Sequence, residues 1–193
     1  MLYLASRSPR RRELLQQIGL EPIVLDVDVD ETLLEQESAT SYVLRLAQAK
    51  ALAAVKANAI ADDDFVLAAD TTVYAGGEIL GKPLSFSDAQ RIWALLPSLD
   101  HCVVTAVALW HRGKLCAQAV STAVSFLPIP SHEQLLYWQT GEPCDKAGAY
   151  AVQGLAAIYI TQLSGSYSNV VGLPLAETAN LLRQANFPLW GVK

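Results

Sequence analysis

Apolar and polar positions first fall into a short run, Leu2-Tyr3-Leu4-Ala5, which predicts a strand. Ser8 can cap a helix beginning at Pro9, because proline has no N–H to leave unpaired there and its φ is already helical. That helix runs to about Ile18, with Gly19 as a left-handed stop. From Ile23 the pattern drifts into strict alternation, Leu25-Asp26-Val27-Asp28-Val29-Asp30, which predicts a strand through Val29 closed by Asp30-Glu31. Val43, Leu46, Ala47, Ala53 and Ala54 lie at helical spacing and predict a helix from Ser41 to about Asn58. Lys50 falls inside that apolar stripe. A lysine there either snorkels to water or reaches an anion in a cleft.

Phe65-Val66-Leu67-Ala68-Ala69 is unbroken apolar sequence, as in a strand buried on both faces, and it runs into Asp70-Thr71-Thr72. Val73-Tyr74-Ala75 and Glu78-Ile79-Leu80 flank a Gly76-Gly77 hairpin signal. Ser87 to Gln90 and Ser131 to Gln134 read as capping boxes for helices reaching about Leu96 and Gly141. Between them, residues 101–110 and 114–126 form a long hairpin about Arg112-Gly113. Residues 142–148 read as a loop, 150–152 and 156–163 as strands, 165–169 as a polar loop, and Pro174 opens a last helix ending near Asn186. Strand–helix alternation that gives way to hairpins predicts an α/β fold with a mixed central sheet and flanking helices.

At 193 residues with 52% apolar content, the chain can build one sizeable core, either one domain or one domain with two lobes. A net charge of −5 argues against nucleic-acid binding over the whole surface, so any anion site is a local basic pocket. Cys102, Cys116 and Cys144 are an odd set without CxxC spacing, which fits a reducing compartment better than a disulfide framework. No secretory leader is recognised, and no apolar run approaches the ~20 residues that span a bilayer. The expectation is a cytoplasmic protein.

Arg10, Arg11 and Arg12 occupy the first turn of the first helix, where cations oppose the helix dipole. A basic triplet is often just solvated, but a helix N-terminus with guanidinium groups also suits a phosphate. Asp70, at the end of a buried run, needs a partner, a metal or a raised pKa. His101, His111 and His132 accompany no nucleophile signature and read as structural. Gly81-Lys82-Pro83 lacks the spacing of a P-loop. What remains is a set of cations (Arg10, Arg11, Lys50, Lys82, Lys146) and carboxylates (Glu31, Asp70, Asp145). Cations suit a polyphosphate, and carboxylates suit a divalent metal and an activated water, the equipment of phosphoryl or nucleotidyl hydrolysis.

Ser6-Arg7-Ser8-Pro9-Arg10-Arg11-Arg12-Glu13-Leu14-Leu15 is followed by Asp30-Glu31, by Ala69-Asp70-Thr71-Thr72-Val73 and by Gly81-Lys82-Pro83. Further on stand Asp145-Lys146-Ala147-Gly148-Ala149-Tyr150, Gln153-Gly154 and the segment from Gly165 to Pro174. Together these segments resemble the Maf family of nucleoside triphosphate pyrophosphatases, in the family's order and over nearly the whole chain. The resemblance implies an elongated, two-lobed fold with a deep cleft, like the inosine triphosphate pyrophosphatases. It implies hydrolysis between the α and β phosphates with a divalent metal, magnesium or manganese, and a part in clearing non-standard nucleotides.

Carried over by position, the resemblance makes Asp70 the catalytic base and a metal ligand, and Glu31 a metal or water-orienting carboxylate. Ser8, Arg11, Lys50 and Lys82 would hold phosphates. Arg10, Thr71 and Gln153 occupy the positions that sort subfamilies. Members with Arg, Thr and Gln there favour dTTP and UTP, whereas a branch with Trp, Gln and Glu favours 7-methyl-GTP. A homodimer is a further expectation. Two other readings stay open. One is a nucleotide-binding regulator of cell division without turnover. The other is a nucleic-acid binder using the arginine stretch, which the acidic total charge and the lack of interleaved aromatics oppose.

Overall fold

A computed structural model describes residues 1–190. Its strands are β1 (Leu2–Ala5), β2 (Ile23–Leu25), β3 (Phe65–Ala75), β4 (Glu78–Leu80), β5 (Cys102–His111), β6 (Lys114–Phe126) and β7 (Ile160–Ser164). Its helices are α1 (Pro9–Gln17), α2 (Ala39–Ala57), α3 (Phe86–Leu95), α4 (Ser131–Gln139), α5 (Tyr167–Val171) and α6 (Leu175–Gln184). The strands form one sheet in the order β2-β1-β3-β5-β6-β7, with β4 paired to β3 beside that path. β1 runs parallel to β2 and β3, while β3–β4 and β6–β7 are antiparallel. The sheet is mixed, as the order of sequence patterns implies. Among the described residues no helix is long and apolar enough to cross a membrane.

The chain divides into two compact units. The first comprises residues 1–70, 105–120 and the segment from Gly172 onward; the second comprises 71–104 and 121–171. In the first unit every residue of β1 is buried, as in a parallel strand covered on both faces. α2 contributes Val43, Leu46, Ala47, Ala51 and Ala54, and α6 contributes Leu181 and Leu182. Gly19, at φ +77°, ends α1 as the sequence predicts. Its N–H donates to Gln16 O and that of Leu20 to Leu15 O, the paired bonds of a Schellman stop.

The second unit packs Val73, Leu80, Ile92, Trp93, Phe126 and Tyr137 into one cluster. Trp93 keeps its indole N–H satisfied on Ala149 O at 2.8 Å. His101 is 1% exposed. Its Nδ1 lies 2.9 Å from Leu96 O, an acceptor only, so Nδ1 carries the proton and Nε2 accepts from the Tyr150 hydroxyl at 3.1 Å. Burial pushes this imidazole from 6.5 down to about 4, against smaller opposing effects of Leu96 O and Asp100. The folded pKa lies below the unfolded one, so the neutral ring's contribution is complete above about pH 6.5 and is lost as pH falls toward 4. About 3 kcal/mol is at stake. Urea midpoints between pH 4 and 7 should therefore fall more steeply for the natural chain than for His101→Gln. Parallel curves would exonerate His101.

Several boundaries differ from the sequence reading. β2 stops at Leu25, because its partner β1 ends at Ala5 and nothing continues the ladder for Val27 and Val29. Asp26, Asp28 and Asp30 therefore lie in irregular chain. β3 does not end at Asp70 but runs five residues past it, to Ala75. α2 starts at Ala39, two residues before Ser41, because Ser38 Oγ caps it through the Ser41 N–H. α3 is capped by Ser85, whose Oγ accepts the Asp88 N–H while Asp88 Oδ2 accepts the Leu84 N–H, and Phe86 packs against the core. α4 starts at Ser131 with Pro130 at its N-cap, one residue earlier than a Ser131 cap would give. Residues 155–159 form a 3-10 turn before β7, and 167–171 are helical. Residues 150–152 are not a strand: a bond from Gly154 N–H to Ala151 O bends the chain there.

Candidate active site

β1 hands over to Ser6, a buried residue whose N–H turns back onto Leu4 O. Ser6 Oγ accepts twice, from Ser8 N–H at 3.2 Å and from Arg11 Nη1 at 3.1 Å. Ser8 stands at the N-cap of α1 in extended conformation, but its hydroxyl makes no capping bond, and the first turn holds no acidic residue. The first-turn N–H groups and arginines thus have no carboxylate in their own turn, a composition suited to an anion. Arg11 is not a solvated arginine. Its Nε donates to Gly172 O at 2.8 Å, and burial depresses its pKa, with Asp70 the largest opposing influence. Arg10 is partly exposed and Arg12 exposed.

Lys50 turns inward from α2. Its Nζ lies 2.6 Å from Asp70 Oδ1 and 2.6 Å from Glu31 Oε1. The Lys50 and Asp70 side chains are 13% and 9% exposed, so the pair is largely dry, while Glu31 at 55% faces solvent. Burial is the main cause that raises the Asp70 pKa from its ordinary 3.8. Lys50 and then Arg11 oppose the rise, and Glu31 adds to it. Asp70 is therefore a carboxylate in a dry setting with cations on hand, the pattern of a tuned acid–base group.

Glu31 sits in irregular chain, yet α2 pins that chain. The Tyr42 hydroxyl donates to Glu31 O at 2.9 Å and Arg45 Nη2 to Thr32 O at 3.0 Å. Arg45 also grips Glu37 through two bonds of 2.7 and 2.6 Å. Asp30 does not join Glu31 as a second open carboxylate: its Oδ1 accepts the Thr32 N–H in a local turn. Arg7 lies 3.3 Å from Asp26 and 3.8 Å from Asp28. Sequence reasoning passed over Ser6, Tyr42 and Arg45 as positioning residues. The one signal was Tyr42 and Arg45 standing three apart on the helix that carries Lys50, within about two turns of it.

The first unit thus gathers Ser8, Arg11, Glu31, Lys50 and Asp70, with Arg10 on the same helix turn. Thr71, Lys82 and Gln153 belong to the second unit. Thr71 follows Asp70 in β3 and is half-buried. Lys82 is exposed after β4, where Gly81 O accepts the Gly148 N–H at 3.1 Å. Gln153 is exposed in the Ala151–Gly154 turn, and Lys146 pairs with its neighbour Asp145.

Two carboxylates already share one cation in Lys50, so the donor chemistry at Glu31 and Asp70 suits a hard divalent ion. No group of three or more His, Cys, Asp or Glu able to hold a metal occurs among the described residues. Two carboxylates fit magnesium bound jointly with water and substrate phosphates, not a cage built by the protein alone.

Comparison with known proteins agrees with this chemistry. A sequence model of the Maf family, described as Maf-like protein, matches residues 1–185. A dTTP/UTP pyrophosphatase of Hahella chejuensis is 44% identical over 189 residues, covering 98% of this chain and 94% of that protein. A dTTP/UTP pyrophosphatase of an Anaeromyxobacter species is 49% identical over 193 residues, covering 97% and 91%. One from Vibrio vulnificus is 46% identical over 183 residues, covering 95% and 97%. With its length matched almost throughout and its dry aspartate, paired lysine and backbone-held arginine on the motif positions, the chain belongs to the Maf family.

Proposed function

We propose that this chain hydrolyses dTTP and UTP to the monophosphate and pyrophosphate. The observation that carries the proposal is the buried Asp70, raised in pKa yet held by Lys50 beside Arg11. Asp70 takes a proton from the water that attacks the α-phosphorus. The bond from that phosphorus to the α–β bridging oxygen breaks, and pyrophosphate leaves with its negative charge spread over phosphate oxygens. Ser8, Arg11, Lys50 and Lys82 bind those oxygens. A magnesium or manganese ion at Glu31 and Asp70 would supply Lewis acidity and lower the pKa of a bound water. The same proposal includes a homodimer and a cytoplasmic setting.

Base preference follows from charge and hydrogen bonding. A 7-methylguanine ring is cationic, so Arg10 repels it, and Gln153 offers no compensating carboxylate. The Gln153 amide has an acceptor and a donor group that match N3–H and a carbonyl of uracil or thymine. Thr71 completes the trio of sorting positions. A site built for such pairing rejects a mismatched edge, because its own polar groups are left unpaired.

A nucleotide panel with magnesium and pyrophosphate detection tests the proposal. Higher kcat/KM is expected for dTTP and UTP than for CTP, purine triphosphates and 7-methyl-GTP. Equal or higher kcat/KM for 7-methyl-GTP would overturn the base preference and leave pyrophosphatase chemistry standing. Tight binding without pyrophosphate release would favour a nucleotide-binding regulator.

A further inference from the structure

Gln153 is carried by a turn with almost no secondary structure of its own, yet the exit of that turn is tied to one side chain, and that side chain to a second. On the exit side, Glu142 Oε2 accepts the Leu155 N–H at 2.8 Å, and Oε1 accepts the Ala156 N–H at 3.3 Å. Oε1 also accepts the Tyr137 hydroxyl at 2.8 Å. On the entry side, Ala151 O accepts the Gly154 N–H at 3.2 Å, which closes the turn. The Tyr137 phenol, 6% exposed, is pushed well up, first by burial and then by Glu142.

The relay runs from the Tyr137 hydroxyl to the Glu142 carboxylate, which in turn accepts the N–H groups of Leu155 and Ala156. Only Gly154 lies between Gln153 and the anchored Leu155. Gly154 shows how closely the carboxylate lies against the turn. A Cβ there would stand 2.1 Å from Glu142 Oε2 and 2.4 Å from its Cδ. The Gly154 φ is −114°, which any residue adopts, so space and not backbone angle calls for glycine.

We propose that Tyr137 and Glu142 are specificity-positioning residues, a clamp that fixes the backbone carrying Gln153 and so sets the reach of its amide toward a pyrimidine base. The clamp rests on Gln153 being a base contact, as proposed above. Neither residue touches the substrate. With the clamp loosened, the Gln153 amide samples several positions and discriminates uracil and thymine from cytosine less well.

The test is a double-mutant cycle on kcat/KM for dTTP and CTP with Glu142→Gln, Tyr137→Phe and Gln153→Ala, each checked for folding by thermal melting. Glu142→Gln keeps the side-chain shape but turns one acceptor into a donor that faces a backbone N–H. It should lower the dTTP-to-CTP ratio about tenfold, with the loss mainly in the KM for dTTP. Tyr137→Phe removes only a hydroxyl and should shift the ratio in the same direction if the larger change unfolds the chain. In the Gln153→Ala background either clamp change should move the ratio less than about twofold, since the contact it positions is gone. An unchanged ratio in folded single variants overturns the clamp, as does a full effect added on top of Gln153→Ala. If Gln153→Ala alone leaves the ratio unchanged, Gln153 is not the base contact and the clamp falls with it.

Discussion

Asp70→Asn is expected to lower kcat for dTTP by about 10²–10⁴-fold, the usual loss on removal of a general base. The same change is expected to make the folded chain more stable at pH 7. Both effects have one origin. Asp70 lies in a dry strand, and burial outweighs the help of Lys50 and Arg11 in setting its pKa above 3.8. Between 3.8 and the higher folded value, the folded state binds more protons than the unfolded one. Stability therefore falls as pH rises through that window and is not regained above it. An asparagine carries no charge to desolvate. The melting temperature of Asp70→Asn, measured in a chelator, should exceed that of the natural chain at pH 7, and the gap should close below about pH 3.8. Retention of more than about a tenth of kcat would end the general-base role. A lower melting temperature at pH 7 would mean that the ion pair outweighs desolvation.

Lys50→Ala should reduce kcat/KM for dTTP by about a hundredfold or more, in the range found when one preorganised donor is removed from a charged transition state. It should also move the acidic limb of the pH–rate profile to higher pH. Lys50 is the largest influence holding the Asp70 pKa down, so without it the carboxyl keeps its proton to higher pH and is a poorer base near neutrality. Breaking a buried ion pair costs about 3–5 kcal/mol when the survivor stays charged. Here the survivor can protonate, so the stability loss should be smaller than that. A drop in rate with an unmoved acidic limb would reduce Lys50 to a phosphate contact. A full-length loss of stability would show that Asp70 stays ionised without it.

Much of the first unit was readable from spacing. Pro9 and Gly19 delimit α1 within a residue or two because each has a backbone reason to be there. Lys50 stood out as a charge within an apolar stripe, and Asp70 as a carboxylate directly after a buried run. Both anomalies proved to be the two halves of one ion pair. Glu31 stood in the set of candidate carboxylates, but its role as a metal or water-orienting group came only from the family resemblance. Its place depends on Tyr42 and Arg45 reaching back from α2 to an irregular segment. The alternation over residues 25–30 misled because a strand needs a neighbour as well as a pattern, and β1 offers none beyond Ala5. Gly172 O was invisible for a simpler reason: every residue has a carbonyl, so no side-chain pattern reveals which one will hold Arg11. In the second unit the Glu142 side chain rather than a ladder takes the N–H groups that follow the Gln153 turn, and a local strand pattern does not register such a partner.

The bond from Arg11 to Gly172 O spans 161 positions of sequence. On a ribosome adding about 5–20 residues per second, the arginine waits roughly 8–32 s for its acceptor to be made. Throughout that interval the first unit also lacks α6, which brings Leu181 and Leu182 to its core. A nascent or prematurely released chain thus carries Ser8, Glu31, Lys50 and Asp70 in full, but not the peptide that holds the guanidinium in place. The fold delays the assembly of the candidate active site until residue 172 has been made, so a chain aborted before that point should be a substrate for proteases and not a working site.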